Sequence, residues 1–251
     1  MINYDSIYPK VKSMKKIYVD DYHELCKSKR PIGYGETANC FMGTDGDVVK
    51  IFYKNFMQEI NRKYDRFMNK FEVLSALADE RIITPEKLIM SNEQIIGYKY
   101  RYIKAKDFED VSMLTRIETL FEDYETVLQE LKLLSDAGIQ SFDMHGRNIL
   151  YEDNNYYFID FDKCIIDNGY SSKELYNINI KHFIETFFKV VYGLKPHQEG
   201  QFKNIDIRSY MNTPYFSLND IKKLLREYED VCGCKNPSLA RIRRKTLKSK
   251  E

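Results

Sequence analysis

The sequence has no apolar run near the roughly 20 residues that a membrane-crossing helix needs. Its first residues, MINYDSIYPKVKSMKK, carry charge with no apolar stretch behind it, so no secretory leader is expected there. Lys and Arg number 39 against 38 Asp and Glu, and charge this balanced draws neither nucleic acid nor a membrane surface. The five cysteines are odd in number and scattered, which argues against a disulfide framework and suits a reducing cytoplasm. Cys232 and Cys234, in CGC, lack zinc-ligand spacing and a second ligand pair, and are expected to be structural. No internal repeat or low-complexity linker interrupts the chain. What is present, 43% hydrophobic and 31% charged residues over 251 positions, suits one large domain or two joined lobes.

Residues 1–30 are polar, with a weak helical period through Val11, Met14, Ile17 and Leu25. CFMG and VVKIF then read as strands around the turn dipeptide Asp45-Gly46. From Asn55 to about Ala78, Phe56, Ile60, Tyr64, Phe67, Phe71 and Leu74 step by three and four, predicting one helix. RIITPEKLIM and QIIGYKYRYI read as two more strands. After Ile103 the period turns helical, from Leu114 through Leu134, with Gly138 as the stop. A hairpin NILY/YYFID follows, then a helix from about Leu175 to Tyr192. A last helix is capped by SLND, Ser217 to Asp220, and stopped at Gly233. The basic tail RIRRKTLKSKE reads as a solvated terminus. Strands come first and helices second, so the expectation is an α+β fold with a strand-rich part over 1–103 and a helical part over 104–251.

The stretch SFDMHGRNILYEDNNYYFIDFD carries the chemistry. Its hairpin brings Asn148 and Asp160 to one end, two hard oxygen donors of the kind Mg²⁺ takes alongside water and phosphate. Asp143 lies just upstream, placed to accept a proton from a hydroxyl beside that metal. Singly, each is an ordinary turn or strand-end residue; together they point to a site. Upstream, Gly33 and Gly35 would let backbone N–H groups approach phosphates. Lys50, flanked by Val48, Val49, Ile51 and Phe52, needs an anion if its ammonium is buried. Glu72, whose helix face holds Met68, Ser75 and Ala76, is preferred as its partner. Glu59 shares a face with Asn55, Arg62 and Lys63 and reads as solvated.

Glycine loop, strand lysine, helix glutamate, D-x-x-x-x-N and a strand-ending aspartate stand in the order of the protein-kinase-like superfamily, which the chain resembles from about Ile32 to Tyr192. The resemblance implies a bilobal fold, a small antiparallel sheet with one main helix followed by a mostly helical lobe. It implies ATP held around Gly33, Gly35 and a hinge at Arg101, Tyr102 and Ile103. It also implies Lys50 on the α- and β-phosphates with Glu72 behind it, Mg²⁺ on Asn148 and Asp160, and Asp143 as base. There are departures: Ala38 replaces the third loop glycine, Ser141-Phe142 stands where His-Arg is usual, and Asp162 replaces the glycine after Asp160-Phe161. His145, two after Asp143, resembles the aminoglycoside- and choline-type small-molecule kinases and some atypical protein kinases, and the short segment after Asp162 leaves no room for a long peptide-docking activation segment. Arg147 is a further cation, for a phosphate or the acceptor, or a plain surface residue. The expected activity is γ-phosphate transfer from ATP to a hydroxyl of a small molecule or of protein Ser, Thr or Tyr. The alternative is a pseudokinase that binds nucleotide or protein without transfer.

Overall fold

The computed structural model describes residues 14–77, 79–141, 143–166, 169–193, 205–212 and 216–247. The chain divides into two compact units, Met1–Lys104 and Ala105–Glu251, one residue beyond the expected junction. The architecture is α+β, with a mixed sheet in the first unit and most of the helix in the second. Among the described residues no helix is long and apolar enough to cross a membrane.

In the first unit the elements run β1 (Lys15–Tyr18), β2 (Gly33–Tyr34), β3 (Ala38–Met42), β4 (Val48–Phe52), α1 (Lys54–Arg62), α2 (Tyr64–Ala76), β5 (Lys87–Ser91) and β6 (Gln94–Tyr100). They form one six-stranded sheet in the order β1-β5-β6-β4-β3-β2. Only the β1–β5 pair in that sheet is parallel. The expected helical period through Met14 and Ile17 is therefore wrong: this segment is a strand, because the open edge of β5 supplies its backbone partners. Val11 lies outside the described residues.

The β3–β4 loop spans five residues rather than two, since Met42 pairs with Val48. It is tied down from below by Lys99, a buried ammonium that donates to Asp45 and lies 3.8 Å from Asp47. The single helix expected over 55–78 is broken at Lys63, whose backbone leaves helical geometry at φ −113°, ψ 38°. The neighbouring Asn61 explains the break. Its side chain donates to Ile95 O at 3.0 Å and accepts from Ile95 N at 2.9 Å, pinning the end of α1 to β6. The three-and-four apolar period runs through the break, and Phe56 and Phe67 still meet at 6.1 Å between ring centroids.

The second unit continues with β7 (Lys106–Asp107), 3-10 turns at Phe108–Asp110 and Glu118–Phe121, α3 (Tyr124–Asp136), β8 (Ile139–Gln140), β9 (Ile149–Glu152), β10 (Asn155–Phe158), β11 (Ile165–Ile166), α4 (Ser172–Tyr192), α5 (Ile207–Asn212), α6 (Leu218–Cys232) and α7 (Leu239–Thr246). β7, β9 and β10 form one antiparallel sheet, and β8 pairs with β11. The core is aromatic: Phe121 and Phe187 lie 4.7 Å apart, and Tyr156 lies 5.2 Å from Phe108 and 5.6 Å from Phe183. Such rings bury large apolar area, and their polar ends still need partners. Tyr124 and Tyr156 find them in the carbonyls of Phe216 and Leu120, at 2.7 and 2.8 Å.

Two expectations fail here for one reason. The helix predicted from Leu114 begins only at Tyr124, and Leu114 itself is exposed. The segment before it turns at Met113 and Leu114 and is tied to the C-terminal residues: Ile117 N donates to Pro237 O, and Leu239 N and Ala240 N donate to the carbonyls of Thr115 and Met113. The basic tail is correspondingly not a solvated terminus through residue 247. It forms α7, which buries Leu239, Ile242 and Thr246 at helical spacing. The residues after 247 lie outside the described set.

Candidate functional site

The loop that leads into β9 is held by one face of α4. Asn179, His182 and Thr186 follow one another at three and four positions along α4, beside the buried Ile180, Phe183 and Phe187. Asn179 is fully buried; its amide oxygen accepts from Ser141 N at 3.0 Å, while its nitrogen donates to Ser135 Oγ and Ile139 O. His182 Nδ1 donates to Ser141 O at 2.7 Å, because a carbonyl can only accept, and Thr186 donates to Met144 O. Three polar side chains thus satisfy the loop backbone from behind. The sequence reading passed over them. Their signal was polar residues at helical spacing inside an apolar run.

Asp143 emerges from this anchored loop half-buried. Its carbonyl accepts from Asn148 Nδ2 at 2.8 Å, which commits the amide nitrogen and presents the amide oxygen as the donor atom. Ile159 N donates to Asn148 O at 3.0 Å, so the β9–β10 ladder continues one step past Ile149–Phe158, pairing Asn148 with Ile159 and leaving Asp160 one residue beyond. The turn of that hairpin is Asp153-Asn154, both at positive φ, the tight geometry expected for such a connection. Asp160 itself adopts φ 61°, a left-handed conformation that non-glycine residues enter at some cost. Two hard oxygen donors at one hairpin end fit Mg²⁺, which completes its shell with water and phosphate oxygens. Among the described residues, no group of three or more His, Cys, Asp or Glu side chains forms a metal cage.

Gly146 is required by packing: a Cβ there would lie 2.9 Å from Glu109 Cβ and 3.0 Å from Val190 Cγ2. The next residue, Arg147, is exposed and donates to Glu109, which raises its guanidinium further above its ordinary range. His145 Nδ1 accepts from Arg147 N at 3.2 Å, so the neutral ring carries its proton on Nε2, 3.6 Å from Asp143 Oδ1. On the other carboxylate oxygen, Lys163 Nζ approaches Oδ2 at 3.2 Å. Lys163 was not singled out from sequence, since a lysine in a turn after a strand carries no pattern. Asp143, His145 and His182 line a cleft of about 780 Å³, together with Asp110, Glu185 and Arg243. Close by, burial pushes the Asp107 carboxyl up, with the charges of Asp110 and Glu109 adding to it.

In the first unit, Lys50 stands in the middle of β4 and is only 2% exposed. It pairs in register with Cys40 and Tyr98, and its ammonium lies 5.6 Å from the Tyr98 ring centre. Gly33 lies in β2 opposite Cys40, and Gly35 N donates to Ala38 O at 2.9 Å, closing a tight turn. A Cβ on either glycine would make only ordinary contacts within this unit, at 3.8 and 3.5 Å. Glu59 is ion-paired to Lys63 at 2.8 Å on the exposed side of α1, as a solvated residue would be. Glu72 is half-buried on α2. Lys16 is raised above its ordinary range chiefly by its hydrogen bond to the Tyr64 hydroxyl, and the charge of Glu72 adds to this. Arg101 turns its guanidinium onto the carbonyls of Asp79 and Glu80, while Tyr102 is 44% exposed and Ile103 half-buried.

No family model matches this sequence, and no curated protein matches it.

Proposed function

We propose that this chain is an ATP- and Mg²⁺-dependent phosphotransferase of kinase-like, bilobal design that moves the γ-phosphate to a hydroxyl of a small molecule or a protein. One observation carries the reading. Asp143 stands on the wall of a roomy cleft, on a loop whose backbone is fixed by α4 and by Asn148, and Asn148 and Asp160 end one hairpin beside it. A base that must meet a hydroxyl at hydrogen-bond distance needs this kind of fixed placement.

In this reading Asn148 and Asp160 hold the metal, which supplies charge neutralisation across the β- and γ-phosphates. Lys50, partnered by Glu72, orients the α- and β-phosphates, and the turn at Gly33 and Gly35 offers backbone N–H groups to them. The backbone at Arg101, Tyr102 and Ile103 receives the adenine. Asp143 takes the proton of the acceptor hydroxyl as its oxygen bonds to phosphorus and the bridging oxygen departs with ADP. Most of the acceleration comes from positioning and charge complementarity rather than covalent chemistry.

The test is γ-phosphate consumption from ATP with Mg²⁺ by wild type, Asp143→Ala and Asp160→Ala. Asp160→Ala should lose metal-dependent nucleotide binding, while Asp143→Ala should bind as wild type and turn over about 100-fold or more slowly. Equal turnover by all three proteins would end the assignment. Labelled ATP in a cell extract, with protein-bound and small-molecule label counted separately, then identifies the acceptor class.

A further inference from the structure

Asp143 has a nitrogen beside each carboxylate oxygen, and the closer contact is the Lys163 ammonium on Oδ2 at 3.2 Å. The other, His145 Nε2 at 3.6 Å from Oδ1, is too long for a hydrogen bond. Lys163 reaches this place through a specific backbone path. Asp160 turns left-handed at φ 61°, Phe161 and Asp162 go inward and buried, and Cys164 N closes a turn onto Phe161 O at 3.1 Å. That turn throws the Lys163 side chain outward, toward Asp143. A carboxylate rotating freely about its last bond would present either oxygen to the cleft. An ammonium fixed on one oxygen leaves the other to face the acceptor.

We propose that Lys163 is a positioning residue for phosphoryl transfer, holding Asp143 by Oδ2 so that Oδ1 is the atom that takes the acceptor's proton. The proposal rests on the phosphotransferase reading and adds to it a residue from the metal-binding segment. It also links the two halves of the apparatus, since the turn that presents Asp160 for the metal is the one that delivers Lys163 to the base.

The experiment is a double-mutant cycle read with Mg²⁺-ATP and water as the acceptor. In that reaction water's oxygen bonds to the γ-phosphorus, ADP leaves, and Asp143 receives the proton. Lys163→Met should lower kcat about 10- to 100-fold with little change in KM for ATP, and Lys163→Arg should restore most of it. In an Asp143→Asn background the same Lys163→Met change should cost almost nothing, because the group it positions is gone. A Lys163→Met protein as fast as wild type would overturn the proposal. So would an equal fold-loss in both backgrounds, which marks a merely structural role. If wild type itself releases no phosphate and Asp143→Ala matches it, the phosphotransferase reading fails and takes this proposal with it. A thermal melt of Lys163→Met and Lys163→Gln separates loss of fold from loss of positioning.

Discussion

A methyl group at position 97 would meet the Lys50 carbonyl oxygen at 2.0 Å, so β6 can lie against β4 only with glycine there. Gly97→Ala should destabilise the protein by about 3 kcal/mol, read from the urea midpoint, because backbone rather than a side chain must yield. The same change should disturb Lys50, which hangs from the strand that would be displaced. Glu72 and Glu59 offer a second comparison at this scale. With Glu72 as the partner of Lys50, Glu72→Gln lowers kcat/KM for ATP while Glu59→Gln, which loses only an exposed pair with Lys63, leaves it near wild type. The reverse result would move the anchor from α2 to α1.

Among the elements, α4 has the most consequences. Asn179→Ala would strand a buried amide N–H and a buried carbonyl, costing about 2–4 kcal/mol, and should slow turnover as the loop bearing Asp143 loosens. Hydrogen exchange at the Ser141 amide would report the loosening directly. This element also shows what could be read from sequence. Its apolar period was plain from Leu175, yet the helix starts at Ser172, because Ser171 and Glu174 cap each other. The helix of Ser217 to Gly233 was legible at both ends, since its capping box and left-handed glycine are local signals. Likewise the polar pair Asp153-Asn154 between NILY and YYFID is a local turn signal, and both residues take positive φ. What escaped were features decided at long range. Asn61 breaks a helix by serving β6, the segment around residue 114 is not helical because residues 237–240 take its backbone groups, and β1 is a strand because β5 has an open edge. Periodicity sees the face that an element buries and is blind to backbone partners dozens of residues away. Of the candidate site, Asp143, Asn148 and Asp160 have a sequence spacing that marks them; Lys163 has none.

Over the whole molecule, the charge balance hides a pH dependence. Asp45 is held below the ordinary carboxylate range by the hydrogen bond from Lys99, Glu59 by that from Lys63, and Glu229 by that from Lys235. A carboxylate depressed in the folded state stabilises it above the unfolded pKa and loses that contribution as pH falls through the folded pKa. Asp107 has the opposite sign, since it is raised and favours the folded state when protonated. With the depressed groups in the majority, the urea midpoint should fall steadily below about pH 4. Asp45→Asn should flatten that fall by removing one titrating group, and an unchanged slope would assign the acid sensitivity elsewhere.

Arg243 donates to the carbonyls of Val190 and Val191, where α4 ends at Gly193. A helix whose last turn is closed by a guanidinium from another helix depends on that helix staying docked. Pulling residues 239–247 away, by a truncation or a competing partner, would unlatch α4 from its far end. The slack would travel up to Thr186 and be felt at Met144, one residue from the aspartate that has to hold still.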